Sequence, residues 1–268
     1  MDKAVILAAG RGTRMQRAHE AVNLSDGQSD VARSGLKAMM PVGRPFIDYV
    51  LSGLADAGYQ HACLVTGPNH DVLREHVSRF DRGRLSIEFA TQHEPLGTAN
   101  AVVAAAGFVA DDAFLLINSD NYYPASALAG LRSLSGSGVA AFRPAGLCRG
   151  NITADRIHNF AILKLDSGGT YLQRVLEKPD DQTYEAMKDN LLVSMNCWRF
   201  TPTILEACQS IPRSARGEFE LTDAVSHAID RLGEPFEVLV VDEPVLDLST
   251  QADVSEVTRR LASVEVRL

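Results

Sequence analysis

The chain has 268 residues, of which 46% are hydrophobic and 22% are charged, as is typical of a globular protein. A net charge of −8 disfavours non-specific binding to nucleic acid, and no apolar run is long enough to cross a membrane. Because no signal peptide precedes the first predicted strand, we expect a cytoplasmic protein with a large core.

Strands and helices alternate through the first half of the chain, residues 1–138. Short apolar runs predict buried strands, and apolar residues at helical spacing predict the helices between them. The predicted strands cover 4–8, 61–66, 85–90 and 113–117, and the predicted helices cover 45–58, 71–80 and 97–106. The polar segment 15–36 is expected to be a mobile loop. This alternation predicts βαβ units and a mainly parallel sheet.

The second half of the chain, residues 139–268, contains more strands and fewer helices between them. The predicted strands cover 139–142, 160–163, 172–176, 191–200 and 236–241, and the predicted helices cover 203–209, 221–232 and 254–262. No long linker, repeat or low-complexity segment separates the two halves. We therefore expect one domain over residues 1–268 with an elaborated second half.

A glycine-rich loop directly follows the first predicted strand. Gly10 and Gly12 lack a Cβ, so the backbone can turn sharply and its N–H groups can approach an anion. Arg11 and Arg14 add positive charge, and together these features favour a phosphate site. Two common phosphate motifs fit poorly: a dinucleotide fingerprint needs glycine where Met15 stands, and a P-loop needs Gly-Lys-Ser/Thr. An ordinary glycine-rich turn is the alternative explanation.

A second loop of interest lies between the strand at 85–90 and the helix that follows it. A helix that begins at Gly97 and Thr98 can bind a polar group of a ligand through its free backbone N–H groups. Gln92 carries both a donor and an acceptor, which can recognise the edge of a nucleobase. The plainer alternative is that Thr98 caps the helix and that Gln92 is exposed.

Two aspartates lie beside apolar segments. Asp120 follows the strand at 113–117, and Asp247 stands among apolar neighbours near the end of the chain. Ligands bind at the carboxyl edge of parallel sheets, and Mg²⁺ is usually held by one or two carboxylates together with substrate phosphates. The two aspartates are therefore candidate Mg²⁺ ligands. A turn or a helix cap is the alternative for each of them.

A charged pair, Glu177 and Lys178, follows the strand at 172–176 and precedes Pro179. Such a pair is commonly a solvated strand end. The functional alternative is that the lysine binds a phosphate group and the glutamate binds hydroxyl groups of a ligand.

Taken together, and in this order, these segments resemble the sugar-1-phosphate nucleotidylyltransferases over nearly the whole chain. The segments that carry the resemblance are 7–14, Lys37 with 39–43, Gln92 with 95–99, 118–120, 177–179, 217–223 and 246–250. The resemblance implies an α/β fold, a Rossmann-like three-layer α/β/α sandwich with a mixed, mainly parallel sheet. It also implies that an NTP and a sugar 1-phosphate react, by in-line attack on the α-phosphate, to give an NDP-sugar and pyrophosphate.

The resemblance also implies roles for individual residues, with residues 1–138 forming the nucleotide-binding half and 139–268 the acceptor-binding half with a C-terminal helix. The expected catalytic residues are Arg14 for the pyrophosphate, Lys37 for the α-phosphate, Lys178 for the sugar phosphate, and Asp120 and Asp247 for Mg²⁺. The expected nucleotide-binding residues are Leu7, Ala9, Gly10, Gly12, Thr13, Gln92, Gly97 and Thr98. The expected acceptor-binding residues are Asn121, Ala161, Glu177, Lys178, Asn196 and Trp198. No nucleic acid or membrane partner is implied, and a homo-oligomer is compatible with the family.

The sequence departs from the usual pattern of the family mainly on the acceptor side. The segment 14–37 is longer than usual, and Ala38 stands where proline is common. Ala161 replaces a common glycine, so its methyl group would crowd a sugar hydroxyl. Asn196 and Trp198 lie where many members have Asn-Ala-Gly and an aliphatic strand, and they would face or flank the acceptor; packing within the strand is the alternative for both. These differences leave the nucleotide chemistry intact and leave the acceptor open.

Several functions remain as alternatives at this point. The position of Gln92 resembles that in enzymes that use a pyrimidine nucleotide, which are UTP, dTTP and CTP. A cytidylyltransferase for phosphocholine or another phosphoalcohol would change only the acceptor. A non-catalytic nucleotide-sugar sensor would not need the catalytic set above. A glycosyltransferase would normally carry Asp-x-Asp where residues 118–120 read Asn-Ser-Asp.

Overall fold

A computed structural model of the protein describes residues 1–17, 22–80 and 83–268. The strands are β1 Lys3–Leu7, β2 His61–Thr66, β3 Ser86–Thr91, β4 Phe114–Asn118, β5 Asn121–Tyr122, β6 Ser137–Phe142, β7 Ile162–Leu165, β8 Leu172–Leu176, β9 Val193–Phe200, β10 Phe236–Val241 and β11 Leu246–Asp247. The helices are α1 Thr13–Gln16, α2 Asp26–Ser34, α3 Phe46–Asp56, α4 Asp71–Ser78, α5 Thr98–Ala104, α6 Ala106–Val109, α7 Ala125–Ser133, α8 Pro144–Cys148, α9 Asp181–Met187, α10 Thr203–Ser210, α11 Leu221–Leu232 and α12 Asp253–Leu261. Among these helices, none combines the length and the apolar character needed to cross a bilayer.

The centre of the fold is a mixed sheet in which the strands β10-β6-β9-β4-β1-β2-β3 lie side by side. β1 runs parallel to both β2 and β4, β2 runs parallel to β3, and β10 runs parallel to β6. β9 runs antiparallel between β4 and β6, and the hairpin of β7 and β8 extends from it. Because β9 comes from the second half of the chain, both halves share this sheet.

Helices cover both faces of the sheet, and the alternation of side chains along β1 shows why. Ala4 and Ile6 point into one apolar cluster, together with residues of α3 and α7. Val5 points into the other cluster, together with residues of α5, α10 and α11. Successive residues of a strand face opposite sides, so an uninterrupted apolar strand must be covered on both. This arrangement confirms the expected three-layer α/β/α sandwich.

The expectation of a mobile loop over 15–36 is wrong for much of that segment. Residues 26–34 form α2, and Ser25 and Gln28 close a capping box at its start: Ser25 Oγ accepts from the Gln28 N–H, and Gln28 Oε1 accepts from the Ser25 N–H. Gly35 ends the helix in a left-handed conformation, with φ of +74°. Polar composition hid this helix, because among its residues only Ala32 is buried. Residues 18–21 lie outside the described part of the chain.

Candidate active site

A cleft of about 660 Å³ opens where β1 and β4 end at the same edge of the sheet. Leu7 of β1 is in register with Asn118 of β4, so the loops that follow the two strands leave the sheet side by side. This is the edge at which open α/β sheets bind ligands. Many residues that the resemblance assigns to the site line this cleft, namely Leu7, Ala9, Gly10, Gly12, Thr13, Lys37, Gln92, Gly97, Thr98, Asp120 and Asn196.

The two glycines of the first loop have different surroundings. A Cβ on Gly10 would meet no atom within 4 Å, which leaves its backbone open to the cleft. Gly12 has φ of +60°, and a Cβ there would overlap the carbonyl group of Gly35. Gly35 in turn is packed against the carbonyl oxygen of Arg11. Gly12 and Gly35 therefore allow the C-terminal end of α2 to pack directly against the candidate phosphate loop.

Lys37 and Asp120 form an ion pair across the cleft. Lys37 begins a 3-10 helix, Lys37–Met39, and its Nζ donates to Asp120 Oδ2. Burial lowers the pKa of Lys37, but the carboxylates of Asp120 and Asp247 outweigh that effect and raise it overall. The lysine therefore carries a positive charge into the cleft throughout the neutral pH range.

Asp247 is brought to Asp120 by a short two-stranded sheet that the sequence did not predict. β11 pairs antiparallel with β5, so Asp247 lies opposite Asn121, and the Leu248 N–H donates to the Asp120 carbonyl oxygen at 2.9 Å. Asp247 Oδ1 accepts from Asn121 Nδ2 at 3.0 Å. Burial and the nearby Asp120 raise the pKa of Asp247 to about 6, although Arg156 acts in the opposite direction.

This pair of carboxylates fits a divalent cation that is completed by a substrate. Asp120 raises the pKa of Asp247 by charge repulsion, and a cation between the two would relieve that repulsion. Mg²⁺ is commonly held by one or two carboxylates plus phosphate oxygens and water. Within the described ranges no group of three or more metal-binding side chains converges. Asp120 and Asp247 would therefore hold Mg²⁺ together with the phosphates of a nucleotide.

The opposite end of the cleft is built around Gln92, which is 7% exposed rather than solvated. Its Nε2 donates to the Gly97 carbonyl oxygen and to Asn100 Oδ1, each at 2.9 Å. Thr98 Oγ1 accepts from the Leu221 N–H at 2.9 Å and so caps α11 rather than its own helix. These contacts overturn the alternative of an exposed Gln92 and a Thr98 that caps α5.

The position of Gly97 combines a backbone conformation and a close contact that other residue types do not readily accommodate. Its φ is +110°, and a Cβ would overlap the backbone of Phe219. The Phe219 N–H donates to the Leu96 carbonyl oxygen at 2.7 Å, and the Ala99 N–H donates to the Phe219 carbonyl oxygen at 2.9 Å. The segment around Phe219 therefore clamps the loop that carries Gly97 against the mouth of the cleft.

The residues expected to bind the acceptor separate into two groups. Asn196 lines the cleft with φ of +54°, at a bulge in β9. Trp198 is fully buried and stacks on Phe200 with ring centroids 5.6 Å apart. Ala161 is 9% exposed, and its carbonyl oxygen accepts from the Ser194 N–H at 2.9 Å. Trp198 is therefore a core residue rather than part of the cleft lining, which corrects the expectation for it, and Ala161 does not line the cleft either.

Three further residues stand away from the cleft lining. Asn121 is 3% exposed and donates its amide to Asp247, so it supports that carboxylate rather than lining the cleft. Glu177 and Lys178 are exposed at the end of β8, and Lys178 has φ of +44°. Arg216, which does line the cleft, has its Nη2 4.0 Å from Glu177 Oε1. This contact is the link between the charged pair and the cleft.

Arg14 lines a second pocket, of about 970 Å³, rather than the cleft itself. Arg156 lies in the same pocket, donates to Asp247 Oδ2, and was not singled out by the sequence. Asp253 and Asn151, which contact Arg156 or Asp247, were missed as well. Only Asp253 had a signal: Thr250 three residues earlier forms the Thr-x-x-Asp pattern of a helix start.

Comparison with known proteins identifies the family of the chain and several relatives. A model of the nucleotidyl transferase family matches residues 3–243. A glucose-1-phosphate thymidylyltransferase of Streptomyces antibioticus is 28% identical over 99% of this chain and 68% of its own length. The UTP–glucose-1-phosphate uridylyltransferase AglF of Haloferax volcanii is 27% identical over 97% of this chain and 96% of its own length.

A solved structure has the same fold. The crystal structure of a UDP-glucose pyrophosphorylase complexed with UDP-glucose superimposes with a TM-score of 0.74. It covers 99% of this chain and 100% of that one at 17% identity, which is evidence for the fold alone. Since the family match spans most of the chain and the cleft lies where such sheets bind ligands, the protein belongs to the nucleotidyl transferase family of enzymes.

Proposed function

We propose that the protein is a Mg²⁺-dependent nucleotidylyltransferase that joins UTP or dTTP to a hexose 1-phosphate, with release of pyrophosphate. The observation that carries the proposal is that Lys37 and Asp120 form an ion pair in a cleft that also holds Gln92, while Asp247 is buried beside Asp120, outside the residues that line the cleft. Two carboxylates beside a lysine suit the charged phosphates of a nucleotide. A buried amide suits the edge of its base.

In the proposed reaction, an oxygen of the sugar phosphate attacks the α-phosphorus and the bond to the departing pyrophosphate breaks. Lys37 stays protonated and neutralises charge at the α-phosphate, while the first loop binds the remaining phosphates through its backbone. Mg²⁺ held by Asp120 and Asp247 would supply Lewis-acid stabilisation and a template for the phosphates. Arg14 would neutralise the pyrophosphate as it leaves, and Lys178 would bind the sugar phosphate.

The orientation of Gln92 favours uracil or thymine over cytosine. Because the carbonyl oxygen of Gly97 can only accept, the Gln92 nitrogen must face it and the Gln92 Oε1 faces elsewhere. Among the described residues, no donor contacts this oxygen. It is suited to accept from the N3–H of uracil or thymine, whereas N3 of neutral cytosine carries no hydrogen and cytosine could donate only from its 4-amino group.

The chemistry of the cleft also favours a sugar phosphate over phosphocholine. Quaternary ammonium groups are recognised by the faces of aromatic rings. Among the described residues that line the cleft there is no aromatic side chain. The relatives named above act, by their names, on glucose 1-phosphate, and a hexose is therefore the acceptor class we propose, with Asn196 as a contact.

Pyrophosphate release tests this proposal. Each of UTP, dTTP, CTP, ATP and GTP is paired with several hexose 1-phosphates or with phosphocholine in the presence of Mg²⁺. The controls are D120N and D247N, which keep the side-chain shape and remove the charge. Release that requires UTP or dTTP, a hexose 1-phosphate and both aspartates supports the proposal. Release that requires CTP and phosphocholine overturns it, as does nucleotide binding without turnover on any acceptor.

A further inference from the structure

Arg156 bridges two buried carboxylates behind the cleft. It lies in the 3-10 helix Ala154–Asn159, its Nη2 donates to Asp247 Oδ2, and its Nη1 donates to Asp253 Oδ1 at 2.6 Å. The side chains of the two aspartates are 5% and 6% exposed, and that of Arg156 is 24% exposed. A guanidinium group holds its donors in a rigid plane, so it can fix the relative position of two carboxylates.

Asp253 is itself held firmly at the start of α12. Its Oδ2 accepts from the Thr250 N–H at 2.8 Å, from Thr250 Oγ1 at 2.9 Å and from the Ser249 N–H at 3.2 Å. Its Oδ1 accepts from Asn151 Nδ2 at 3.2 Å as well as from Arg156. With this many donors on one buried carboxylate, Asp253 forms a fixed anchor for the guanidinium group.

Asn151 holds the backbone of Asp247 from the same side. The Asp247 N–H donates to Asn151 Oδ1 at 2.8 Å, and Asn151 Nδ2 donates to the Asp247 carbonyl oxygen at 2.7 Å. The main chain of Asp247 is therefore clamped by one residue and its side chain by another. Both clamping residues belong to the segment 151–156, which does not line the cleft.

The positive charge of Arg156 lies next to two neighbouring carboxylates. Asp247 is buried beside Asp120, since the Leu248 N–H donates to the Asp120 carbonyl oxygen and β11 pairs with β5. Asn121 supplies only a neutral donor to Asp247 Oδ1, so Arg156 is the cation in direct contact with this carboxylate among the described residues. Arg156 thereby fixes the orientation of the Asp247 carboxylate relative to Asp253.

We propose that Arg156 is a positioning residue that presents Asp247 for Mg²⁺ binding, with Asp253 and Asn151 as its anchors. This inference rests on the proposed role of Asp247 as a metal ligand. Outer-shell partners of metal ligands commonly affect metal affinity by about 10–100-fold. The opposite outcome is physically distinct: an arginine that only competed with the cation for Asp247 would weaken metal binding while present.

The test measures binding of Mn²⁺ to the full chain by electron paramagnetic resonance, with and without UTP, for R156Q and R156K. The control is R149Q, which removes an arginine from a solvent-exposed pair with Asp242 in the preceding segment. We expect R156Q to weaken Mn²⁺ binding about 10–100-fold. R156K keeps the charge without the planar fork and should recover part of the loss, whereas R149Q should bind as the unaltered protein does.

Two further measurements separate positioning from loss of structure. Cooperative thermal unfolding must be retained, and if R156Q does not fold, R156K alone carries the test through a smaller loss of Mn²⁺ affinity. In the D247N background, R156Q should change Mn²⁺ affinity no further, because Arg156 acts through Asp247. In steady state, the loss in R156Q should be relieved in part by raising the Mg²⁺ concentration.

The outcomes distinguish this inference from the proposed function. Unchanged or tighter Mn²⁺ binding in R156Q, with binding measurably weakened in D120N and D247N, would overturn the role of Arg156 and leave the proposed function standing. Unchanged Mn²⁺ binding in D120N and D247N would overturn the metal site itself. Equal losses in R156Q and R149Q would reduce the effect to general electrostatics and would also overturn the inference.

Discussion

The backbone N–H of Leu248 donates a hydrogen bond of 2.9 Å to the carbonyl oxygen of Asp120. This bond continues the pairing of β11 with β5 and holds together two loops that are distant in sequence. Because a backbone bond has little freedom, the side chain of Asp247 is fixed relative to that of Asp120. The proposed metal site therefore depends on main-chain pairing as much as on the two carboxylates.

The pH dependence should report the ionisation of Asp247. Burial and Asp120 raise its pKa to about 6, so kcat/KM for UTP should fall as the pH drops through that value. Substrate phosphates titrate nearby, with a second pKa of about 6. R156Q distinguishes the titration of Asp247 from that of the substrate phosphates. Because Arg156 lowers the pKa of Asp247, removing the arginine should move the acid limb of the pH profile to higher pH. An acid limb that stays in place in R156Q would assign it to the substrate.

The same group should affect stability in a defined direction. The pKa of Asp247 is raised on folding from 3.8, so its contribution to the free energy of unfolding is fully present below 3.8 and is lost as the pH rises through about 6. D247N removes this titration. Between about pH 4 and about pH 7, a range in which the folded protein and the unfolded chain bind this proton differently, the free energy of unfolding of D247N should vary less than that of the unaltered protein. Urea unfolding at several pH values measures this difference, and identical profiles would contradict it.

Gln92 should control the choice of base. Q92L removes the acceptor for the base and the ties to Gly97 and Asn100, so kcat/KM for UTP should fall by about 2–10-fold per lost hydrogen bond. CTP turnover should fall less, which narrows the preference for UTP. N100A is the matched control, since it removes one partner of Gln92 and leaves the Gly97 bond in place. An unchanged ratio of UTP to CTP turnover in Q92L would argue against base recognition by this residue.

Two neighbouring glycines should respond very differently to alanine. G12A places a Cβ against Gly35 at a left-handed backbone, so the free energy of unfolding should fall by at least about 1–3 kcal/mol and nucleotide binding should weaken. G10A meets open space and has no left-handed backbone, so its stability should be nearly unchanged. Thermal unfolding and UTP titration measure both effects. Equal melting temperatures for the two variants would contradict the packing of α2 on this loop.

Asn196 and Trp198 should also differ. N196G removes the amide from the cleft and keeps a backbone conformation that glycine adopts easily, so the melting temperature should change little. KM for the hexose 1-phosphate should rise about 3–10-fold, which corresponds to the loss of one hydrogen bond. W198A should lower the free energy of unfolding by about 3–5 kcal/mol, because a fully buried ring is lost. Initial-rate kinetics and denaturation separate the two. If W198A were stable and its KM for the hexose 1-phosphate were altered, Trp198 would instead be assigned to the acceptor site.

The bulge in β9 explains why Asn196 and Trp198 lie in different surroundings. In a regular strand, residues two apart face the same side. The register with β6 shifts between Val139 and Ala141, and Asn196 has a left-handed backbone at that point. The shift turns Asn196 to the cleft and leaves Trp198 in the core. Nothing in the local sequence pattern marks such a bulge.

The residue pattern alone predicted the alternating strands and helices, the sheet edge that carries Gly12, Gln92 and Asp120, and the family. The strands and helices follow from short-range periodicity, a parallel sheet necessarily gathers its loops at one edge, and the family follows from the order of the motifs along the chain. The fold was needed to show how the pairing of β11 with β5 brings Asp247 to Asp120, that Arg156 contacts Asp247, and that Trp198 is buried. Those contacts come from strand pairing and packing between distant segments, which no local pattern of residues encodes.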